Sequence, residues 1–239
     1  MKLNQIKGRP KDLEKRATIM EAAGKLFLEQ GYEGTSLDAI ANRACVSKLT
    51  VYSHFKDKAG LFTCLVTSKC KEYAGDKSLK ELLQLPLKLA LTRLAEGYIE
   101  LILNPDVLAF HRLMIADAGD NPELTALFYD SGPRVAIEEV ADIITEFSNV
   151  GKLHIADSWH AADHFLSMLR GYIYWRALLN IEIKPKKIIL NKHIESCVGV
   201  FLCAYANEAS PTNQTKPVQL DVTKSTISNI SRKNDSGRR

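Results

Sequence analysis

The chain has 239 residues, of which 46% are hydrophobic and 25% charged, a balance that excludes a disordered or fibrous protein and leaves ample length for a buried core. Its net charge of +4 is unevenly placed, with 12 Lys/Arg against 7 Asp/Glu in residues 1–70, 14 against 18 in residues 71–207, and 6 against 3 in residues 208–239. A basic head on an acidic body fits a segment that meets a polyanion while the remainder serves another purpose.

Residues 1–12 read as a basic, flexible arm. From Leu13 to Gln30, Ile19, Ala23, Leu26 and Phe27 share one face at helical spacing, and Gly31 stands where a left-handed cap is wanted. Thr35 and Ser36 can each cap a short second helix, "TSLDAIANRA", in which Leu37, Ile40 and Ala41 point one way. Cys45 to Ser47 separate it from a third helix ending near Phe55, and Asp57 can cap a fourth whose inner face is Leu61, Phe62, Leu65 and Val66. Two short helices joined by a tight turn and buttressed by a longer one form the helix-turn-helix pattern, here over about 36–55 within a domain of residues 13–73.

In the stretch "VSKLTVYSHFKDK", Val51 and Phe55 would hold the third helix to the core while Lys48, Leu49, Tyr52 and Ser53 turn outward. Hydroxyls, Lys ammonium groups and the free amides of a helix N-terminus are the groups that grip a DNA backbone, and one helix fits the major groove. The same cluster makes a poor catalytic site, because no carboxylate stands where it would orient His54 toward Ser47 or Ser53.

Residues 13–73 resemble the DNA-binding domain of the tetracycline-repressor (TetR) family. "AAGKLFLEQGYEGTSLDAIANRACVSKLTVYSHFKDKAGLF" carries the family's Phe-x-x-x-Gly-Tyr helix end, Thr-Ser start, Val-Ser-Lys, Thr-x-Tyr-x-His-Phe and Lys-x-x-Leu-Phe tail. The resemblance implies that Thr35 and Ser36 lie against the DNA backbone, that Ser47 and Thr50 bind phosphate or a nearby base, and that Lys48 and Leu49 face base edges. It also implies that Tyr52 and His54 hold the backbone and that Lys58 reaches phosphate. Two residues depart from the family's pattern: Cys45 stands where Gly is common, at a backbone cost of about 1 kcal/mol or more, and Leu49 stands where a small or polar residue is common, able to meet a thymine methyl.

Residues 76–207 read as an all-helical second domain, with helices over 78–103, 106–117, 122–149, 156–180 and 186–207. In the fourth of these, Ala162, Leu166, Leu169, Ile173 and Ala177 form one apolar stripe, and Phe165, Met168, Tyr172, Trp175 and Leu179 a second. A helix apolar on both sides must be covered on both sides. The first stripe, with Ile194, Val198, Phe201 and Tyr205 of the last helix, is expected to build a two-fold interface of four helices, since members of the resembling family pair through their last two long helices. A dimer would present two recognition helices to successive major grooves of a near-palindromic operator.

Phe110, Met114, Phe128, Tyr129, Tyr172 and Trp175 are the candidate lining of a pocket for a small apolar or aromatic effector. Asp157, His160 and His164, at i, i+3 and i+7, could share a helical face as metal ligands, but a capping Asp with two surface histidines is the simpler reading. The chain has no His-Glu-x-x-His, phosphate loop or Gly-rich dinucleotide fingerprint, so neither catalysis nor a metal or cofactor is expected.

The five cysteines, at 45, 64, 70, 197 and 203, form no Cys-x-x-Cys and read as reduced thiols of a cytoplasmic protein. No secretory signal follows the charged N-terminus, and Lys88, Arg93, Glu96 and Glu100 break the best candidate for a membrane span. Residues 208–239, rich in Ser, Thr, Asn and basic side chains, are expected to be disordered. The reading is thus an all-α, homodimeric, effector-responsive DNA-binding repressor. The alternative from another class is a small-molecule-binding or catalytic helical protein whose basic head serves protein contacts.

Overall fold

The computed structural model describes residues 9–74 and 79–207; the tail expected to be disordered and most of the N-terminal arm lie outside them. Among the described residues the chain is all-α, with a single isolated bridge between Leu153 and Ala206. The head consists of α1 (Arg9–Gln30), α2 (Leu37–Arg43), α3 (Lys48–His54) and α4 (Lys58–Ala74). Helix α1 therefore begins four residues before the expected start, so residues 9–12 belong to it and not to the arm. Gly31 ends it with φ 74° and an amide donating to the Phe27 carbonyl at 3.0 Å.

The predicted inner faces meet in one cluster. Ile19, Ala23, Phe27, Ile40, Val51, Leu61 and Phe62 are fully buried, and Phe62 meets both Phe27 and Tyr32 edge-on at 5.6 and 5.3 Å. Edge-to-face rings at these spacings add to the burial of their surface. The cluster does not stop at the head. Met114 and Leu124, from the body, belong to it, and half-buried Phe110 and Phe128 pack against it.

The body comprises α5 (Leu79–Gln84), α6 (Leu87–Ile102), α7 (Pro105–Asp117), α8 (Pro122–Ser131), α9 (Pro133–Asn149), α10 (Ser158–Leu178) and α11 (Lys187–Tyr205). Two expected helices are each broken in two. Residues 78–103 divide at Pro86, and residues 122–149 divide at Gly132-Pro133. Proline lacks the amide that would continue the ladder and drives the residue before it out of helical backbone, here Leu85 and Gly132.

Helices α6, α9, α10 and α11 enclose the body's core around Leu91, Ala95, Ile144, Phe147, Phe165, Leu166, Leu169 and Phe201. This corrects the expected dimer interface. Ala162, Leu166, Leu169, Ile173, Ala177, Ile194, Val198 and Phe201 are all 4% exposed or less within a single chain, so they hold its own helices together. Tyr205 is half-buried, its hydroxyl 3.0 Å from Nδ1 of His164. The outward stripe is instead the second one, without Phe165: Tyr172, Trp175 and Leu179 are 56, 58 and 64% exposed.

Helix α10 is kinked at Gly171, which has φ 35° and ψ −148°. That conformation removes a helical bond, and the Leu169 carbonyl takes a replacement from Nε2–H of His193 on α11, at 2.9 Å. A Cβ at position 171 would come 3.2 Å from the His193 ring, so the break needs glycine for both backbone and space.

Candidate DNA-binding surface and effector cavity

Ser36 caps α2 by accepting the Ala39 amide at 3.1 Å, and Ser47 caps α3 by accepting the Thr50 amide at 3.1 Å. The Ser47 and Thr50 hydroxyls lie 2.7 Å apart at the N-terminus of α3. Between the two helices Cys45 adopts φ 52°, the left-handed turn that Gly commonly supplies in the resembling family. Beyond the cap, Leu49 and Tyr52 are 79 and 46% exposed, and Lys48 stands 2.8 Å from Asp38 of α2 and 5.9 Å from the Tyr52 ring. Helix α3 thus presents a hydroxylated end, a cation, an aromatic ring and a bare leucine on one open face.

Three other candidates for DNA contact point inward. Thr35 is buried and its hydroxyl donates to the Gly31 carbonyl at 2.8 Å, locking the end of α1. The His54 imidazole is nearly covered, with Nε2 3.3 Å from the Asp12 carboxylate, while its carbonyl accepts from Arg16. The Lys58 ammonium donates to the Tyr32 carbonyl at 2.8 Å and sits 4.2 Å over the Tyr32 ring, close to Glu33. His54 thus ties α3 to α1, while Thr35 and Lys58 hold the turn that follows α1.

Behind the head, α4, α6, α7, α8, α9 and α10 enclose a cavity of about 300 Å³. Phe110, Met114 and Phe128 line it as expected from the sequence; Tyr129, Tyr172 and Trp175 do not, being 47, 56 and 58% exposed on outer surfaces. The lining also includes residues the sequence reading missed: Leu65, Val66, Lys69 and Cys70 of α4, Tyr98 of α6, His111 of α7, and Arg170 and Tyr174 of α10. The His111 ring is 2.9 Å from the Tyr174 hydroxyl through Nδ1 and packs edge-on against Phe128 at 5.5 Å. Burial pushes the Cys70 thiol up to about 11, so at neutral pH it is an inert part of the wall.

At the start of α10, Asp157 caps the helix, and its carboxylate lies 2.8 Å from Nδ1 of His160. His164 turns instead to Tyr205. Asp157 and His160 thus engage each other, while His164 has a separate partner.

Residues 19–64 match the family described as bacterial regulatory proteins of the tetR family, and residues 89–207 match the C-terminal domain of AefR-like transcriptional repressors. The flavonoid-responsive regulator FrrA is 33% identical, with a TM-score of 0.65, over 82% of this chain and 99% of that one. The chain belongs to the TetR family. That family is one of DNA-binding regulators of transcription. A TetR-family regulator from Mesorhizobium loti is 29% identical, with a TM-score of 0.68, over 83% of this chain and 100% of that one. The transcriptional regulator YhgD of Bacillus subtilis is 40% identical over 60 residues, which are 25% of this chain and 31% of that protein, so the likeness spans less than a third of that relative's length.

Helix α11 is 19 residues long with mean hydropathy 1.2, enough by length and composition for a span, and 22% of it is buried. Its outward residues include Ile188 and Val200, 61 and 55% exposed.

The buried imidazole of His111 makes the stability of this regulator pH-dependent. Burial, assisted by the charge of Arg170, pushes its pKa from 6.5 down to about 4. Between those values the unfolded chain binds a proton that the folded chain refuses, so this group's contribution is present above pH 6.5 and lost as the pH falls toward 4, by up to about 3 kcal/mol. Urea melts of wild type and His111→Gln across this range check it. The variant is expected to lose less stability on acidification; parallel losses would show that His111 does not titrate as described.

Proposed function

We propose that this TetR-family protein is a homodimeric repressor that binds a near-palindromic operator through α3 and is released by a small apolar or aromatic effector. The observation that carries the reading is the continuity between the DNA-facing head and the cavity. Helix α4 contributes Leu61, Phe62 and Leu65 to the head's core and Leu65, Val66 and Cys70 to the cavity wall. Met114 belongs to both as well. An effector that prefers one arrangement of α4 and α7 shifts the head, and it changes DNA affinity only by its differential affinity for the two arrangements.

The outward apolar stripe of α10 supports the dimer. Tyr172 meets the His193 ring of α11 edge-on at 5.7 Å, so the exposed faces of the two helices adjoin, and Trp175, Leu179, Ile188 and Val200 extend an apolar surface that a second copy would cover. The family relation to a flavonoid-responsive regulator supports an aromatic effector. A head used for protein contacts is not favoured, since the open face of α3 combines a cation with hydroxyls at its helix N-terminus.

Selection of bound DNA from a random pool by the purified protein tests the reading. The expected product is a consensus with two inverted half-sites, bound with an affinity that falls steeply with salt because several phosphates are neutralised. A retained pool without consensus, or an affinity flat between low and moderate salt, would overturn it.

A further inference from the structure

The cavity behind the head carries a one-sided set of polar groups, and resting on its reading as the effector site, that set specifies the effector's chemistry. Its walls are almost wholly apolar, and the polar side chains that reach it include Lys69 and Arg170 but neither Asp nor Glu. The Tyr98 hydroxyl, on α6, makes no hydrogen bond among the described residues, and no buried side-chain oxygen or nitrogen there is without a partner, so this hydroxyl opens onto cavity space. Its burial pushes the phenol up to about 12, which keeps the proton on and makes it a donor.

His111 and Tyr174 share one hydrogen bond of 2.9 Å. The imidazole is neutral at pH 7, so the pair holds two protons, one of which lies between the rings. If the hydroxyl donates to Nδ1, the ring proton is on Nε2; if Nδ1–H donates, the hydroxyl proton is free. Either arrangement leaves the pair one spare N–H or O–H donor. The third feature is the Arg170 guanidinium, whose charge reaches Tyr98, His111 and Tyr174 alike. Its partners are the Ser167 hydroxyl at 3.2 Å and the Asp163 carboxylate at 3.8 Å, which leaves donor capacity on its five N–H groups.

A hydrocarbon in this cavity would strip water from these donors and give nothing back, and a cation would find no carboxylate in the cavity lining. We propose that the effector is an aromatic weak acid, a carboxylate or an acidic phenol, whose ring system fills the apolar part of the cavity and whose oxygen is bound by Arg170, Tyr98 and the His111–Tyr174 pair. Such an anion offers these donors an acceptor, and its charge-assisted bonds are the strong ones in a site of low polarity. The aromatic walls select size and the polar end selects charge.

Equilibrium dialysis of the full-length protein against three probes of similar size, biphenyl-4-carboxylate, 4-methylbiphenyl and 4-phenylbenzylamine, tests this. The carboxylate is expected to bind about tenfold or more tighter than the hydrocarbon, with the amine weakest. Arg170→Met is expected to cost the carboxylate about tenfold while the hydrocarbon changes less than about twofold, and Arg170→Lys to keep part of the preference. Tyr98→Phe should reduce the same preference, which guards against a change at Arg170 that merely perturbs α10. Equal binding of carboxylate and hydrocarbon, or a preference for the amine, would overturn the acidic effector and leave the cavity standing as an effector site. Binding of none of the three would overturn both readings together.

Discussion

Replacing Lys48 and Tyr52 together by Ala is expected to abolish operator binding while helix content, stability and dimerisation persist. Both side chains stand on the open face of α3, the Lys48 side chain 58% exposed and Tyr52 at 46%, and neither contributes to the buried core of the head. Exposed substitutions of this kind change stability by about 0.5 kcal/mol or less. Their cost on DNA is far larger, because the two-fold assembly loses four contacts. At about 1 to 1.5 kcal/mol each, that is about 4 to 6 kcal/mol, or a loss of about a thousandfold or more. The ion pair between Lys48 and Asp38 does not offset this, since an exposed pair is worth little and can be exchanged for a phosphate. Fluorescence anisotropy on the selected operator measures the effect; an unchanged affinity would sink the assignment of α3 as the reading helix.

The second large effect is expected at the outward stripe. Trp175→Asp combined with Val200→Asp is expected to convert the dimer to a folded monomer, read by light scattering after gel filtration, and to collapse operator affinity because only one half-site remains engaged. Both positions are more than half exposed in the single chain, so a carboxylate there costs the monomer little. Against a second copy, the same carboxylates would be buried without partners, four of them around one axis. Leu166→Ala on the inner stripe separates the two faces of α10. Leu166 is 1% exposed inside the body's core, so this change is expected to lower folding stability by about 2 to 5 kcal/mol without creating a specific monomer. If Leu166→Ala dissociates a stable dimer and the double Asp variant does not, the interface lies on the inner stripe after all.

The cavity links these two results. Helix α10 carries Arg170 and Tyr174 on the cavity side, Tyr172 and Trp175 on the outer side, and the break at Gly171 among them. The side chains that bind the effector in our reading and those that meet the second copy therefore alternate along one kinked helix. Helix α4 on the other wall runs directly into the head's core.

Much of this was written in the chain. Periodic apolar residues placed α1 to α4, and a hydroxyl start of α2 was legible as Thr35 or Ser36, of which the structure makes Ser36 the cap; Ser47 caps α3 in the same way, since a hydroxyl before an amphipathic run has few better uses. The exposure of Leu49 and Tyr52 followed from Val51 and Phe55 claiming the opposite side of α3. The divisions at Pro86 and Gly132-Pro133 were legible too, since both prolines stand in the sequence, but the runs on either side share one apolar period and read as single helices.

What only the tertiary structure decided is which partner each face and each polar head finds. Helix α10 has two apolar stripes, and periodicity reports the phase of a stripe without saying what covers it, so Ala162, Leu166 and Leu169 turned out to serve the chain's own core. Thr35 went inward to the nearby Gly31 carbonyl of its own turn, while His54 and Lys58 went inward because the Asp12 carboxylate and the Tyr32 carbonyl wait there, acceptors from distant segments that no local pattern brings near. Tyr98, His111 and Arg170 lie on three helices far apart in sequence. Only the packing of α6, α7 and α10 around one space brings these three polar residues to the wall of a single cavity.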